Sequence, residues 1–422
     1  MHVDLHPIFA DSAPGKQAGE LISACVHCGF CLATCPTYLA TRDERDSPRG
    51  RIYLIKQLLE SGAASGRTHT HLDRCLSCRS CETTCPSGVQ YGQLVDIGRG
   101  LMEQRVPRPL PQRGLRWLLR QGLTSPALFA VALRVGQWLR PLLPGALRRQ
   151  IPPRQTVGAV PQQPRARTML LLEGCIQKAA APATNAAARR VFDRLGIRLQ
   201  SAPQAGCCGA VNYHLAAHAD GLDNMRRNID AWWPQIEAGA EAIVSSATGC
   251  GSMLNDYGHL LAHDPVYAAR AGRVSALARD IGEILLKEDL GSLGIDHRSG
   301  RVAVQTPCSL QHGMKLPHLI TDILTRAGVT LVATDDSHLC CGSAGTYSIL
   351  QPAMARRLRD AKIAALTGNN PDVIVSGNIG CQLHLATAAP VPVRHWIELL
   401  DQHEGDGDIA LPGAAAQDRL TQ

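Results

Sequence analysis

The run CVHCGFCLATCP, residues 25–36, decides the fold. Cys25, Cys28, Cys31 and Cys35 stand in the pattern C-x2-C-x2-C-x3-C and are closed by Pro36. The pattern returns as CLSCRSCETTCP, residues 75–86, with Cys75, Cys78, Cys81 and Cys85. Three cysteines at three-residue spacing bend one loop around a shared centre, and the proline stops the loop continuing as regular structure. The wider composition asks what that centre is. The chain has 422 residues, 45% hydrophobic and only 4% aromatic, yet sixteen are cysteine. That length supports two or three domains with real cores. The start, MHVDLHPIFADSAPGK, lacks the basic flank and apolar centre of a secretory signal. No apolar run approaches the roughly 20 residues that span a bilayer. The chain reads as cytosolic, where structural disulfides are rare, so sixteen cysteines point to metal.

The spacing is that of the bacterial ferredoxin run, which holds 4Fe-4S cubanes. In two-cluster ferredoxins the fourth cysteine of each run serves the other cluster. This assigns Cys25, Cys28, Cys31 and Cys85 to one cluster, and Cys75, Cys78, Cys81 and Cys35 to the other. The plainer alternative, structural zinc, favours two separated C-x2-C pairs per ion and fits two tight four-cysteine runs poorly. His27 lies inside the first loop and reads as a loop residue, since thiolates already fill the sites. Between the runs, PRGRIYLIKQLLE (48–60) carries Ile52, Leu54, Ile55, Leu58 and Leu59 near helical spacing. It reads as a packing helix, with Pro48 in its first turn.

The rest of the chain is a duplication. AEAIVSSATGC (240–250) aligns with PDVIVSGNIGC (371–381), each reading as a short buried strand that ends in Gly-Cys. Cys175 and Cys308 are 133 residues apart, as are Cys207 and Cys340, and Cys208 and Cys341; Cys250 and Cys381 are 131 apart. A repeat this long is a duplicated domain rather than a solenoid unit. Within each copy the pattern alternates. MLLLEGC, TNAAARRVFDRLG, IRLQSA and then CCG are matched by RVAVQTPC, LPHLITDILTRAG, VTLVAT and CCG. Strand, helix, strand is the rhythm of a parallel α/β layer, and open α/β sheets build sites at the carboxyl ends of strands. Cys175, Cys207, Cys208 and Cys250 are therefore expected to converge in copy one, and Cys308, Cys340, Cys341 and Cys381 in copy two, as candidates for a cluster or redox site. The alternative is that small buried cysteines merely pack at a domain junction. The fold class expected is α+β and multidomain: a helical dicluster ferredoxin domain followed by two duplicated α/β CCG domains.

Two ferredoxin runs followed by two CCG repeats resembles the iron–sulfur subunits related to heterodisulfide reductase, anaerobic glycerol-3-phosphate dehydrogenase and lactate-utilisation proteins. ACVHCGFCLATCPTYL, SPRGRIYLIKQLLE, HLDRCLSCRSCETTCPSGV, NIDAWWPQIEAGAEAI, DSHLCCGSAGTY and VRHWIEL are similar to the iron–sulfur subunits of bacterial glycolate oxidase, over roughly residues 18–400. The resemblance implies a membrane-associated dehydrogenase. Two flavin subunits carrying FAD would oxidise glycolate to glyoxylate, and this chain would pass electrons to a quinone-type acceptor. The sequence fits that division, because no Gly-x-Gly-x-x-Gly follows a strand and clusters move single electrons rather than hydride. One departure stands out. Where relatives carry C-x-x-C, this chain has CGSM (250–253) and CQLH (381–384), so each copy offers four cysteines and not five. Four suffice for a cubane; His384 could stand in as a ligand, against the plainer reading of an ordinary surface or core histidine. The alternative function is a CCG-type thiol/disulfide reductase subunit; a further one is a structural scaffold for the flavin subunits.

Residues 104–172 contain twelve arginines and no acidic residue, whereas the net charge of the whole chain is +7. Trp117, Leu118, Leu119, Leu128, Phe129, Leu133, Trp138 and Leu139 are interleaved with them. Such a stretch suits either an anionic membrane face or a partner subunit. Nucleic acid is not expected, since no reader motif accompanies the charge. The expected divisions are 1–103 for the dicluster domain, 104–166 for a basic amphipathic helical connector and linker, 167–290 and 300–400 for the CCG domains, and 401–422 for a disordered tail. The expected location is cytoplasmic, peripheral on the inner face of the membrane, with contact through 104–150.

Overall fold

The computed structural model describes residues 1–294 and 300–401. The tail expected to be disordered lies outside the described residues, apart from Asp401.

The N-terminal part is helical. Helices α1 (Ala13–Ser23), α2 (Pro48–Ser61), α3 (Gly66–Asp73) and α4 (Tyr91–Arg105) surround the two cysteine loops. Helix α2 shows why these residues fold locally. The Ser47 hydroxyl accepts the Gly50 amide at 2.9 Å, Pro48 sits in the first turn, and Gly62 closes the end at φ 68°. Its Ile52, Ile55, Leu58 and Leu59 are buried against Ile22, Leu94, Val95 and Met102, while Leu54 is only half-buried.

Two helices, α5 (Leu110–Thr124) and α6 (Pro126–Leu139), then pack on each other at the surface. Arginines tie α5 down: Arg116 to Asp73 at 2.8 Å, Arg120 to Asp220. Residues 152–165 carry no regular structure.

Each CCG copy is a four-stranded parallel sheet. Copy one comprises β1 (Arg167–Leu172), α7 (Pro182–Arg194), β2 (Ile197–Gln200), α8 (His218–Glu237), β3 (Ile243–Ser245), α9 (Thr248–Leu260), β4 (Ala278–Asp280) and α10 (Ile281–Leu285). Copy two repeats it with β5 (Val302–Gln305), α11 (Leu319–Arg326), β6 (Leu331–Val332), α12 (Pro352–Thr367), β7 (Val373–Ser376), α13 (Ile379–Ala386), β8 (Val393–His395) and a 3-10 turn, Trp396–Leu400. The strand orders are β2-β1-β3-β4 and β6-β5-β7-β8, with Leu170 opposite Ile243 and Val302 opposite Val373 in register. Alternate side chains go to opposite faces. Met169, Leu171, Val302, Val304, Val373 and Val375 form one core shared by the two sheets, while Leu170, Leu172 and Ile243 pack outward under α8 and α9. The copies interlock reciprocally: α7 packs on the Trp396–Leu400 turn and α10 on α11.

One local expectation is corrected. The strands β3 and β7 end at Ser245 and Ser376, and Cys250 and Cys381 lie in the first turns of α9 and α13. The apolar run stops at the serines, where the chain turns and starts a helix, so Gly-Cys is a helix start and not a strand end.

Candidate metal centres

The two ferredoxin-type loops share an unusual backbone. His27 and Gly29 adopt φ of 60° and 86°; Ser77 and Arg79, at the equivalent positions, adopt 51° and 59°. These left-handed residues curl each loop so that its three sulfurs face inward. Strain at a non-glycine residue persists only where its surroundings hold it, and Arg79 is held by an ion pair with Asp256 at 2.5 Å.

Two cavities result. Cys25, Cys28, Cys31 and Cys85 line one, with Val26, Phe30 and Pro86; Cys35, Cys75 and Cys78 line the other, with Thr37, Arg51 and Tyr91. Cys81 borders both, so the two sites lie side by side. The first is at the surface: Cys28, Val26 and Phe30 are exposed. The second is enclosed. His27 lines the first cavity but is one of its loop turns rather than an added ligand in a full thiol set.

The donor set fits a cluster better than a single ion. Zinc thiolate bonds of about 2.3 Å would bring four sulfurs to about 3.8 Å from one another. Among the described residues, no three cysteine sulfurs lie within 4.8 Å of one another. Three of the thiols, Cys31, Cys78 and Cys81, are also held neutral until something ligates them. Burial pushes Cys31 up to about 11, and burial followed by neighbouring sulfurs raises Cys78 and Cys81 well above the ordinary thiol value. A coordinating metal reverses that by taking the thiolate.

The surroundings of the enclosed site were not legible in the cysteine spacing. The Tyr91 hydroxyl donates to Cys75 Sγ at 3.8 Å, the Ser77 amide at 3.4 Å, and Thr37 Oγ1 lies 3.3 Å from Cys35 Sγ. Arg51, only 1% exposed, donates to Thr37 Oγ1 and to the His71 carbonyl. Asp46, fully buried, meets His71 Nδ1 at 2.8 Å and the Arg74 guanidinium at 2.8 Å. Asp43, Asp46 and His71 lie close enough together for a cation, but Arg45, Arg51 and Arg74 already supply the positive charge.

In the CCG copies the cysteines do converge. In copy one Cys207 has Cys175 and Cys208 as neighbours, which together pull it well below the usual thiol range, and the Gly209 amide donates to its sulfur at 3.5 Å. Cys208 in turn neighbours Cys250. Copy two repeats the string from Cys308 through Cys340 and Cys341 to Cys381, the last two sulfurs 3.1 Å apart. Each CCG glycine turns left-handed, Gly209 at φ 92° and Gly342 at 83°, pressing against the carbonyl of Gly221 or Ala355. His384 does not join its string: its Nε2 is spent on the Ala355 carbonyl at 3.2 Å. Cys78 packs in one apolar cluster with Cys308, Cys340 and Tyr347, so the enclosed N-terminal site abuts copy two. Copy one meets the N-terminal domain through ion pairs, Arg79–Asp256 and Asp96–His214.

Comparison with known proteins agrees with this layout. Residues 21–89 match the 4Fe-4S dicluster domain family, and residues 169–255 and 302–386 each match the cysteine-rich (CCG) domain family. The chain is 52% identical over 404 residues to the glycolate oxidase iron–sulfur subunit of Escherichia coli K12, covering 95% of this chain and 99% of that one. It is 30% identical over 399 residues to the probable glycolate oxidase iron–sulfur subunit of Bacillus subtilis, covering 87% and 88%. Lactate utilization protein A of Geobacillus kaustophilus is 25% identical over 221 residues, half of this chain. The chain belongs to the family of glycolate oxidase iron–sulfur subunits.

Proposed function

We propose that this chain is the electron-carrying subunit of a glycolate oxidase complex. It receives electrons from flavin subunits, which carry FAD and oxidise glycolate to glyoxylate, and passes them to a quinone-type acceptor at the membrane. The observation that carries this reading is the pair of four-cysteine cavities side by side, one at the surface and one enclosed, joined at Cys81. Cys25, Cys28, Cys31 and Cys85 are assigned to one 4Fe-4S cluster, and Cys35, Cys75, Cys78 and Cys81 to the other. Such clusters supply single-electron redox capacity when bound.

The chain's own residues hold, space and shield those sites. Helix α2 packs between the loops and fixes their separation. Cys28 brings the first site to solvent, where a donor protein can approach. Tyr91 and the Ser77 amide donate to Cys75 sulfur, which favours the more negative, reduced state. Among the described residues, no helix is long and apolar enough to cross a membrane. A peripheral seat on the inner membrane face is supported by α5, α6 and the turn after them, which leave Trp117, Leu128, Val131, Val135, Trp138 and Leu142 exposed.

A complex carrying Cys28→Ala tests the proposal. Glycolate should still bleach the flavin while acceptor reduction falls to background. Acceptor reduction at the wild-type rate would end the electron-carrier reading. Thiol–disulfide catalysis is the second reading, and the close approach of Cys341 and Cys381 favours it. It requires that Cys341→Ser abolish reduction of a disulfide substrate with metal content unchanged.

A further inference from the structure

Helix α2 carries one apolar residue that the protein leaves half-covered. Leu54 keeps helical spacing with Ile55 and Leu58, yet it lines an open cleft between α2 and α3. The cleft volume is about 270 Å³, close to the lower end of small-molecule sites, about 300 Å³. Leu54, Leu58, Ala63 and Ala64 give it an apolar lining, and Gln57, Thr68 and His71 a polar one.

Two of those polar side chains are more than nine-tenths buried: His71 is 6% exposed and Thr68 8%. His71 Nδ1 is committed to the Asp46 carboxylate at 2.8 Å, which fixes the ring and leaves Nε2 over. Among the described residues neither Nε2 nor the Thr68 hydroxyl has a hydrogen-bond partner. Buried polar atoms are seldom left unpaired, so a ligand in the cleft would complete both. The carboxylates of Asp43 and Asp46 lie close to His71 and disfavour an anion there. A flat, uncharged ring with oxygens at its edge suits the apolar lining and the two waiting groups.

The cleft is also wired to the enclosed cysteine site. Arg51 lines that cavity, and its Nε donates to the His71 carbonyl at 2.7 Å. Its Nη2 donates to Thr37 Oγ1 at 3.1 Å, which lies 3.3 Å from Cys35 Sγ. One side chain therefore separates the two spaces. Helix α3, the far wall, anchors the basic connector: Asp73 pairs with Arg108 at 2.6 Å and Arg116 at 2.8 Å, and His69 Nε2 meets the Val106 carbonyl at 2.8 Å.

We propose that this cleft is where the quinone is reduced, its ring over Leu54 and Leu58 and one carbonyl oxygen at His71 Nε2 and the Thr68 hydroxyl. This rests on the reading that the chain delivers electrons to a quinone and that Cys35, Cys75, Cys78 and Cys81 hold a cluster. The reaction balances. Glycolate loses two electrons and two protons in becoming glyoxylate, and the electrons reach the ring singly past Arg51. Protonated His71 gives one proton to the oxygen it faces and is reloaded from solvent. The other oxygen takes a proton from water at the open rim, and the product is the hydroquinone.

The test uses the whole complex and two acceptors: a short-chain benzoquinone, and ferricyanide, which needs no ring site. Gln57→Trp, which fills the cleft from an exposed position, should raise the KM for benzoquinone at least about tenfold relative to ferricyanide. His71→Gln should lower kcat for benzoquinone at least about tenfold relative to ferricyanide, with the smaller change in KM. In the oxidised complex, without turnover, a photoreactive azido-benzoquinone should label residues 54–71, and excess plain benzoquinone should prevent it. Wild-type quinone kinetics in Gln57→Trp, or a displaceable label in another subunit or elsewhere in this chain, would overturn the inference and leave the electron-carrier reading standing. Where His71→Gln loses iron, Gln57→Trp and the label decide. A wild-type complex that reduces ferricyanide but not benzoquinone would instead strike the quinone reading itself, and the cleft proposal with it.

Discussion

The His395 imidazole, from copy two, donates through Nε2 to the Ser246 carbonyl of copy one at 2.7 Å, while its Nδ1 accepts the Ile397 amide at 3.1 Å. Both ring nitrogens are committed in the neutral form, and a proton on Nδ1 would face another donor. Burial accordingly lowers His395 to about 4 from its ordinary 6.5. The folded state then binds fewer protons than the unfolded one between these values. The stability due to His395 is complete above about 6.5 and is lost as pH falls toward 4, at up to about 1.4 kcal/mol per pH unit. Asp280, buried and raised to about 7, works in the opposite sense. The difference between wild type and His395→Gln isolates the histidine. Denaturant midpoints of the pair should converge near pH 4 and separate as pH rises; a constant gap would mean that folding does not change the protonation of His395.

The crossed cavities make a sharp expectation for the fourth cysteines. Cys85→Ala should remove the same EPR signal as Cys28→Ala, and Cys35→Ala the same signal as Cys78→Ala. If Cys85→Ala instead removes the Cys78 signal, each run ligates its own cluster.

Asp46 anchors the enclosed site from beneath. Asp46→Ala leaves the buried Arg51 without its countercharge, 3.8 Å away, and strips His71 and Arg74 of their acceptor. Breaking a buried pair from one side costs about 3–5 kcal/mol, so the chain should unfold at distinctly lower denaturant. Adding Arg51→Met should recover part of the loss. A double variant no better than the single would show that Arg51 does not depend on Asp46.

The outer face of α6 carries Leu128, Val131, Val135 and Trp138, and Leu142 follows them, at helical spacing. Arg113, Arg134, Arg148, Arg149 and Arg154 make no ion pair among the described residues, unlike Arg108, Arg116 and Arg120. The chain should cosediment with vesicles containing anionic lipid and not with zwitterionic ones, with binding weakened by salt. Trp138 is 72% exposed, so Trp138→Glu should abolish vesicle binding without unfolding. Retained vesicle binding, with loss of the partner subunits, would assign this face to those subunits.

The legibility of the chain followed the range of the signal. The cysteine runs are local, so spacing alone identified both loops, and the fixed offset of about 133 residues exposed the duplicated sheets. Cys250 and Cys381 were read as strand ends because a three- or four-residue apolar run carries no period long enough to mark where a helix takes over. Arg51, Asp46 and Tyr91 could not be found that way, since their partners lie in other loops. His71 and Thr68 look like ordinary helix residues in sequence; only the fold shows them buried beside one cleft. The basic connector was expected to hold amphipathic helix, and α5 and α6 lie within it, but periodicity gives a stripe without saying which way it faces. Here the apolar stripe of α6 faces out.

The most direct measurement is freeze-quench EPR of the wild-type complex, mixed anaerobically with glycolate and no acceptor. Reduced iron–sulfur signals should appear in this chain as the flavin gives up its electrons, and should vanish when a quinone is added. If the signals stay oxidised while glyoxylate forms and the quinone is reduced, electrons bypass this chain and it is not the carrier.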